Sequence, residues 1–105
     1  MDQKQAINIA NKYINEIKSR YDLKKALLFG SFAKGTNNDN SDIDIALIFY
    51  NVSDIIDLQI ELMKLRRNVD LRIEPHPFDE SNFNLTNPAA NDIMKYGIEI
   101  EYNLL

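Results

Sequence analysis

Cysteine is absent from the 105 residues, which excludes disulfides, a thiolate metal site and a thiol nucleophile together and fits a reducing cytoplasm. No apolar run reaches the ~20 residues that a bilayer span needs. The opening MDQKQAINIANKYINEIKSRY has no continuous apolar block of the secretory kind, so neither secretion nor membrane insertion is expected. Basic charge is scarce: 12 Lys and Arg against 16 Asp and Glu give a net charge of −4 and a pI near 4.9. That balance suits poorly a protein that grips nucleic-acid backbone, where clustered Lys and Arg are needed. The one basic run, Lys64-Leu65-Arg66-Arg67, falls at a predicted helix end, where it complements the dipole. The single histidine, His76, stands between prolines with no second ligand at metal spacing and is expected to pack or to cap a loop. Neither an internal repeat nor a linker interrupts the chain, so 1–105 reads as one domain with length enough for a core.

What is present centres on LLFGSFAKGTNNDNSDIDIALIF, Leu27 to Phe49. Two apolar runs of strand-favouring residues, Ala26–Phe29 and Ile43–Phe49, flank a Gly30-Ser31 corner, a second glycine at Gly35 and a polar loop. Side chains alternate along a strand, so Asp42 and Asp44 share one face and Ile43 and Ile45 the other. Adjacent carboxylates repel unless a cation lies between them, and oxygen ligands suit Mg²⁺. At Gly30-Ser31 a strand gives way to a short helical turn over Ser31–Lys34, and backbone N–H groups there can face a phosphate. Phosphate cradle and carboxylate pair together describe a site for a nucleoside triphosphate. Lys34, on the same turn, can neutralise phosphate charge.

The rest of the chain supplies a scaffold. Apolar groups at Ala6, Ile7, Ala10, Tyr13, Ile14, Ile17 and Tyr21 predict an amphipathic helix over about Gln3–Tyr21, capped by Asp2, with Ile9 off the stripe. Lys24–Phe29 is the first strand and Ile43–Phe49 the second. The second loses its alternation after Asp44, as a strand covered on both faces does. Ser53 or Asp54 starts a helix to about Arg67 whose apolar surface is broad, so it is either well buried or meets another chain. Val69–Glu74 alternates cleanly and predicts a third strand with Asp70, Arg72 and Glu74 on one face, ended by Pro75-His76-Pro77. On that face Asp70 can complete a triad with Asp42 and Asp44, or simply pair with Arg72. Glu74 lies about 13 Å further on, too far to share a metal with Asp70. Phe78–Asn87 reads as a loop with Phe78 and Phe83 beneath it. Pro88–Tyr96 is a short helix closed by Gly97, and Ile98–Tyr102 an extended tail. The expected class is α+β: a small mixed sheet of three main strands, with a short C-terminal strand, packed with helices.

Gly30-Ser31, ten intervening residues and Asp42-x-Asp44 resemble the signature of the polymerase beta-like nucleotidyltransferase superfamily, within it the minimal nucleotidyltransferases that pair with HEPN-domain toxins. VDLRIEP resembles the third-carboxylate strand of that superfamily. The resemblance implies an Mg²⁺-dependent enzyme using two ions and ATP, with Asp42 and Asp44 bridging the metals and Asp70 binding the one nearer the acceptor. Gly30, Ser31 and Lys34 would contact the triphosphate. It implies transfer of AMP to a tyrosine of a HEPN toxin in the cytoplasm, in the role of antitoxin. After the third strand too little chain follows to build an acceptor pocket, so a second polypeptide is expected to present the acceptor. The competing expectation is a binding module that neutralises its toxin by occlusion. Oligomeric state and base preference stay open.

Overall fold

The computed structural model describes residues 1–100. Asp2 begins the first helix, α1 (Gln3–Lys18), through a capping box: its carboxylate accepts the Gln5 N–H at 2.8 Å and its own N–H donates to Gln5 Oε1 at 2.8 Å. Ala6, Ala10, Tyr13, Ile14 and Ile17 are buried along it, as the spacing predicts. Ile9, expected off the stripe, is half-buried against the core. The helix stops three residues before Tyr21, whose N–H still bonds Ile17 O at 2.9 Å.

Among the described residues four strands follow: β1 (Leu23–Phe29), β2 (Ile43–Phe49), β3 (Ile73–Asp79) and β4 (Ile98–Glu99), in the spatial order β3-β2-β1-β4. β1 runs antiparallel to β2 and β4, whereas β2 and β3 are parallel. One face of β2 (Ile43, Ile45, Leu47, Phe49) packs into the main core with α1 and with Leu62 and Leu65 of α3 (Ile55–Leu65). Its other face (Ala46, Ile48) packs with Leu27, with Ile93 of α4 (Pro88–Tyr96), and with Phe78 and Phe83. Both faces are therefore covered, which is why alternation fades after Asp44. Asp54 caps α3 by accepting the Ile56 and Asp57 N–H groups, and Asn87 caps α4, with Pro88 opening its first turn. Ile56 and Ile60 of α3 stay exposed, so part of its broad apolar surface is unpartnered within the described residues.

The third strand departs from expectation. It begins at Ile73 and passes through both prolines to Asp79, where the sequence pattern placed a strand over 69–74 ended by Pro75. The edge position explains this. Gln59 Nε2 donates to Pro75 O at 3.0 Å and Arg66 Nη1 to Ile73 O at 2.9 Å, so the odd-numbered residues turn their backbone away from β2. Proline nitrogens then fall on the side where no ladder donor is needed. Residues 66–68 form a 3-10 turn, and Asp70 lies in the irregular segment after it. Phe78 and Asp79, expected in the loop, close β3. The extended tail is seen as β4 against Leu27 and Leu28, and its last predicted residues, 101–102, lie outside the described residues.

Candidate active site

β1 delivers Phe29 opposite Asp44 of β2 and then turns sharply at Gly30, whose φ of 71° and ψ of −150° belong to a region that side chains avoid. The turn is tight because the Asp44 carboxylate lies directly against it: a Cβ on Gly30 would collide with Asp44 Oδ2. Ser31–Lys34 then forms one helical turn, α2, closed by left-handed Gly35. The Lys34 N–H bonds back to Gly30 O at 3.1 Å, leaving the N–H groups just before it without helical partners. Ser31 Oγ makes no hydrogen bond among the described residues. Glycine corner, free hydroxyl and carboxylate thus meet at one end of the β1–β2 pair.

Asp42 precedes β2 and is exposed, with no ion pair or hydrogen bond among the described residues. Ile43 and Ile45 are fully buried, and Asp44, between them, is half-buried on the opposite face of β2. Lys34 is exposed, and its Nζ lies 3.9 Å from Asp92 Oδ2 and 5.1 Å from the Tyr96 ring centre; it leans toward α4.

Asp70 is placed differently from its predicted strand position. It sits on the turn before β3, where Arg72 forks onto it: Arg72 Nε to Oδ1 at 2.9 Å, Nη2 to Oδ2 at 2.7 Å and the backbone N–H to Oδ1 at 2.9 Å. The guanidinium hydrogen bonds hold its carboxyl below the usual carboxylate range, against the smaller opposing effect of burial. The same turn remains next to the start of β2, since the Ile43 N–H bonds Arg72 O at 2.8 Å. The parallel register instead sets Glu74 beside Asp44 and His76 beside Ala46. His76 Nε2 lies 3.2 Å from Asp44 Oδ1, and Glu74 takes a looser contact from Arg66 Nη1 at 3.5 Å. Neither neighbour follows from spacing alone. The available signal was that Ile73, Pro75 and Pro77 alternate as an edge strand can.

Among the described residues, no three Asp, Glu or His groups stand ready to hold a metal on their own. Mg²⁺, however, is commonly held by one or two carboxylates together with substrate phosphates. Asp44 against the glycine corner, with exposed Asp42 two residues before it, fits that pattern. A separate cleft of about 410 Å³ opens beyond Phe49, at the far end of β2. Asp22, Asp54, Asp57 and Glu61 line it, a ring of charge that would repel a triphosphate.

Residues 11–100 match the family described as Polymerase beta, Nucleotidyltransferase. The chain belongs to that family. Among curated nucleotidyltransferase relatives, MJ1215 of Methanocaldococcus jannaschii, a candidate protein adenylyltransferase, is 40% identical over 48 residues, 46% of this chain and 56% of its own length. The chain spans between 37% and 69% of the length of these curated relatives. A crystal structure of a toxin–antitoxin with AMP-PNP superposes with a TM-score of 0.66 at 25% identity, covering 93% of this chain and 74% of that one. A candidate nucleotidyltransferase from Sulfolobus solfataricus reaches a TM-score of 0.68 at 23% identity over 92% of this chain and 80% of its own, a likeness of fold.

Proposed function

We propose that this nucleotidyltransferase-family chain is an Mg²⁺-dependent adenylyltransferase that moves AMP from ATP to a tyrosine of a HEPN-domain toxin and thereby acts as an antitoxin. The observation that carries this reading is the packing of Gly30 against the Asp44 carboxylate. Only because residue 30 lacks a side chain can that carboxylate lie against the corner whose backbone N–H groups would face a phosphate. Backbone N–H groups at the corner and Ser31 Oγ would hold the terminal phosphates, with Lys34 within reach of the same turn. Asp42 and Asp44 would hold two Mg²⁺ ions. Bound there, the metal would neutralise phosphate charge and make the attacking hydroxyl easier to deprotonate. The tyrosine oxygen would attack the α-phosphorus as pyrophosphate departs. The toxin–antitoxin with AMP-PNP, similar over 93% of this chain, supports a toxin partner and a nucleotide substrate.

Asp70 would be the third carboxylate, and its fork with Arg72 bears on that role: the ion pair must open before Asp70 can bind metal. That pairing also favours the second reading, in which the chain neutralises its partner by occlusion alone.

One experiment separates the two. Under the catalytic reading Mg²⁺-ATP raises the melting temperature, since a ligand at 100 times its dissociation constant adds about 2.7 kcal/mol. Asp44→Asn abolishes that rise and the gain of AMP seen in the intact mass of the co-expressed toxin. If Asp44→Asn still neutralises the toxin in full, occlusion is the activity.

A further inference from the structure

We propose that His76 is a positioning residue that fixes the rotamer of Asp44, so that Oδ1 is tied to the imidazole and Oδ2 is aimed at the glycine corner. The proposal rests on the reading of Asp44 as a metal-binding carboxylate. Among the described residues, His76 is the sole hydrogen-bonding or charged partner of that carboxylate: Nε2 lies 3.2 Å from Oδ1. Oδ2, on the other side, faces Gly30.

The ring that provides this tether is itself held. It packs edge-on against Phe29, centroids 4.8 Å apart at 70°, and Phe29 is the strand partner of Asp44. Pro75 and Pro77 fix φ on either side of His76, and Gln59 secures the Pro75 carbonyl. The contrast with Asp70 is informative. A guanidinium fork cancels the carboxylate's charge and occupies both oxygens. One imidazole N–H orients Asp44 while leaving an oxygen and most of the charge for a cation. Hydrogen-bonded partners of metal ligands act in this way, and their loss costs about 10- to 100-fold in metal affinity.

The test is Mn²⁺ binding to the full chain in the presence of a saturating non-hydrolysable ATP analogue, followed by electron paramagnetic resonance, for wild type, His76→Phe, His76→Leu and His76→Gln. Phe keeps the contact with Phe29 but has no donor; Gln places an amide N–H near the former Nε2. Expected are a loss of affinity of about 10- to 100-fold in His76→Phe and His76→Leu and near-wild-type affinity in His76→Gln. In the transfer assay, saturating Mg²⁺ should restore kcat to His76→Phe, leaving the defect in the Mg²⁺ concentration required. Equal affinity of wild type and His76→Phe overturns the proposal while leaving the family reading of Asp44 intact. A loss in His76→Gln as large as in His76→Phe also overturns it, in favour of simple packing. If wild type itself binds no Mn²⁺ with the analogue present, the metal-binding reading of Asp44 falls, and the proposal with it.

Discussion

Replacing Gly30 with alanine tests the geometry of the corner most directly. Its backbone lies at φ 71° and ψ −150°, a region that costs a residue with a side chain about 1–3 kcal/mol. The added Cβ also runs into Asp44 Oδ2. Asp44 can swing away, because its side chain is 27% exposed, but only by giving up the His76 contact, worth about 1 kcal/mol for a part-exposed pair. The sum is about 2–4 kcal/mol. At about 5 °C per kcal/mol for a domain of this size, the melting temperature should fall by about 10–20 °C. Gly35→Ala is the control: it too has positive φ, but a Cβ there meets nothing within 4 Å, so only the left-handed backbone cost of about 1–2 kcal/mol remains. Thermal unfolding followed by circular dichroism reads both variants. A Gly30→Ala protein that melts no lower than Gly35→Ala would refute the close packing of corner and carboxylate.

Three further outcomes are expected. Asp70 has a depressed carboxyl pKa because of Arg72, so its contribution to stability is present above the unfolded value of about pH 4 and is lost as pH falls through the lower folded value. Asp70→Asn should therefore melt below wild type at neutral pH and converge with it in strong acid. Some acid slope should survive in the variant, since Asp79 is shifted the same way by Ser81 and Val52; parallel curves at all pH values would exclude a stabilising fork. Tyr13 is fully buried and its hydroxyl donates to Leu62 O at 2.6 Å. In Tyr13→Phe that carbonyl keeps its bond from the Arg66 N–H, so urea unfolding should report a loss of only about 1 kcal/mol. Ile56 is 72% exposed, and Ile56→Ser should change stability by no more than about 0.5 kcal/mol in the same assay; a larger loss would mean that α3 buries this face.

Local signals were legible wherever the physics is local. Asp2 and Asp54 cap their helices because each carboxylate reaches an N–H within its own first turn. Gly30-Ser31 and Asp42-x-Asp44 stood out for the same reason: a turn and a two-residue repeat are read from neighbours in the chain. The stretch 69–79 could not be read in this way. Alternation at Val69, Leu71 and Ile73 has the period of a strand, yet Leu71 is left exposed on a turn. Prolines that look like a terminus are tolerated because β3 is an edge.

The sequence alone determined that a glycine corner and an Asp-x-Asp repeat flank one polar loop, since residue order dictates both. Only the tertiary structure decided what stands beside Asp44. Parallel pairing of β2 with β3 joins residues some 30 positions apart through a helix, and its register is set by the packing of α3 and the edge contacts of Gln59 and Arg66. That register sets Glu74 opposite Asp44 and brings His76 to its carboxylate, while Asp70 stays on a turn with Arg72, because shifting a strand along its neighbour changes every cross-strand partner at once.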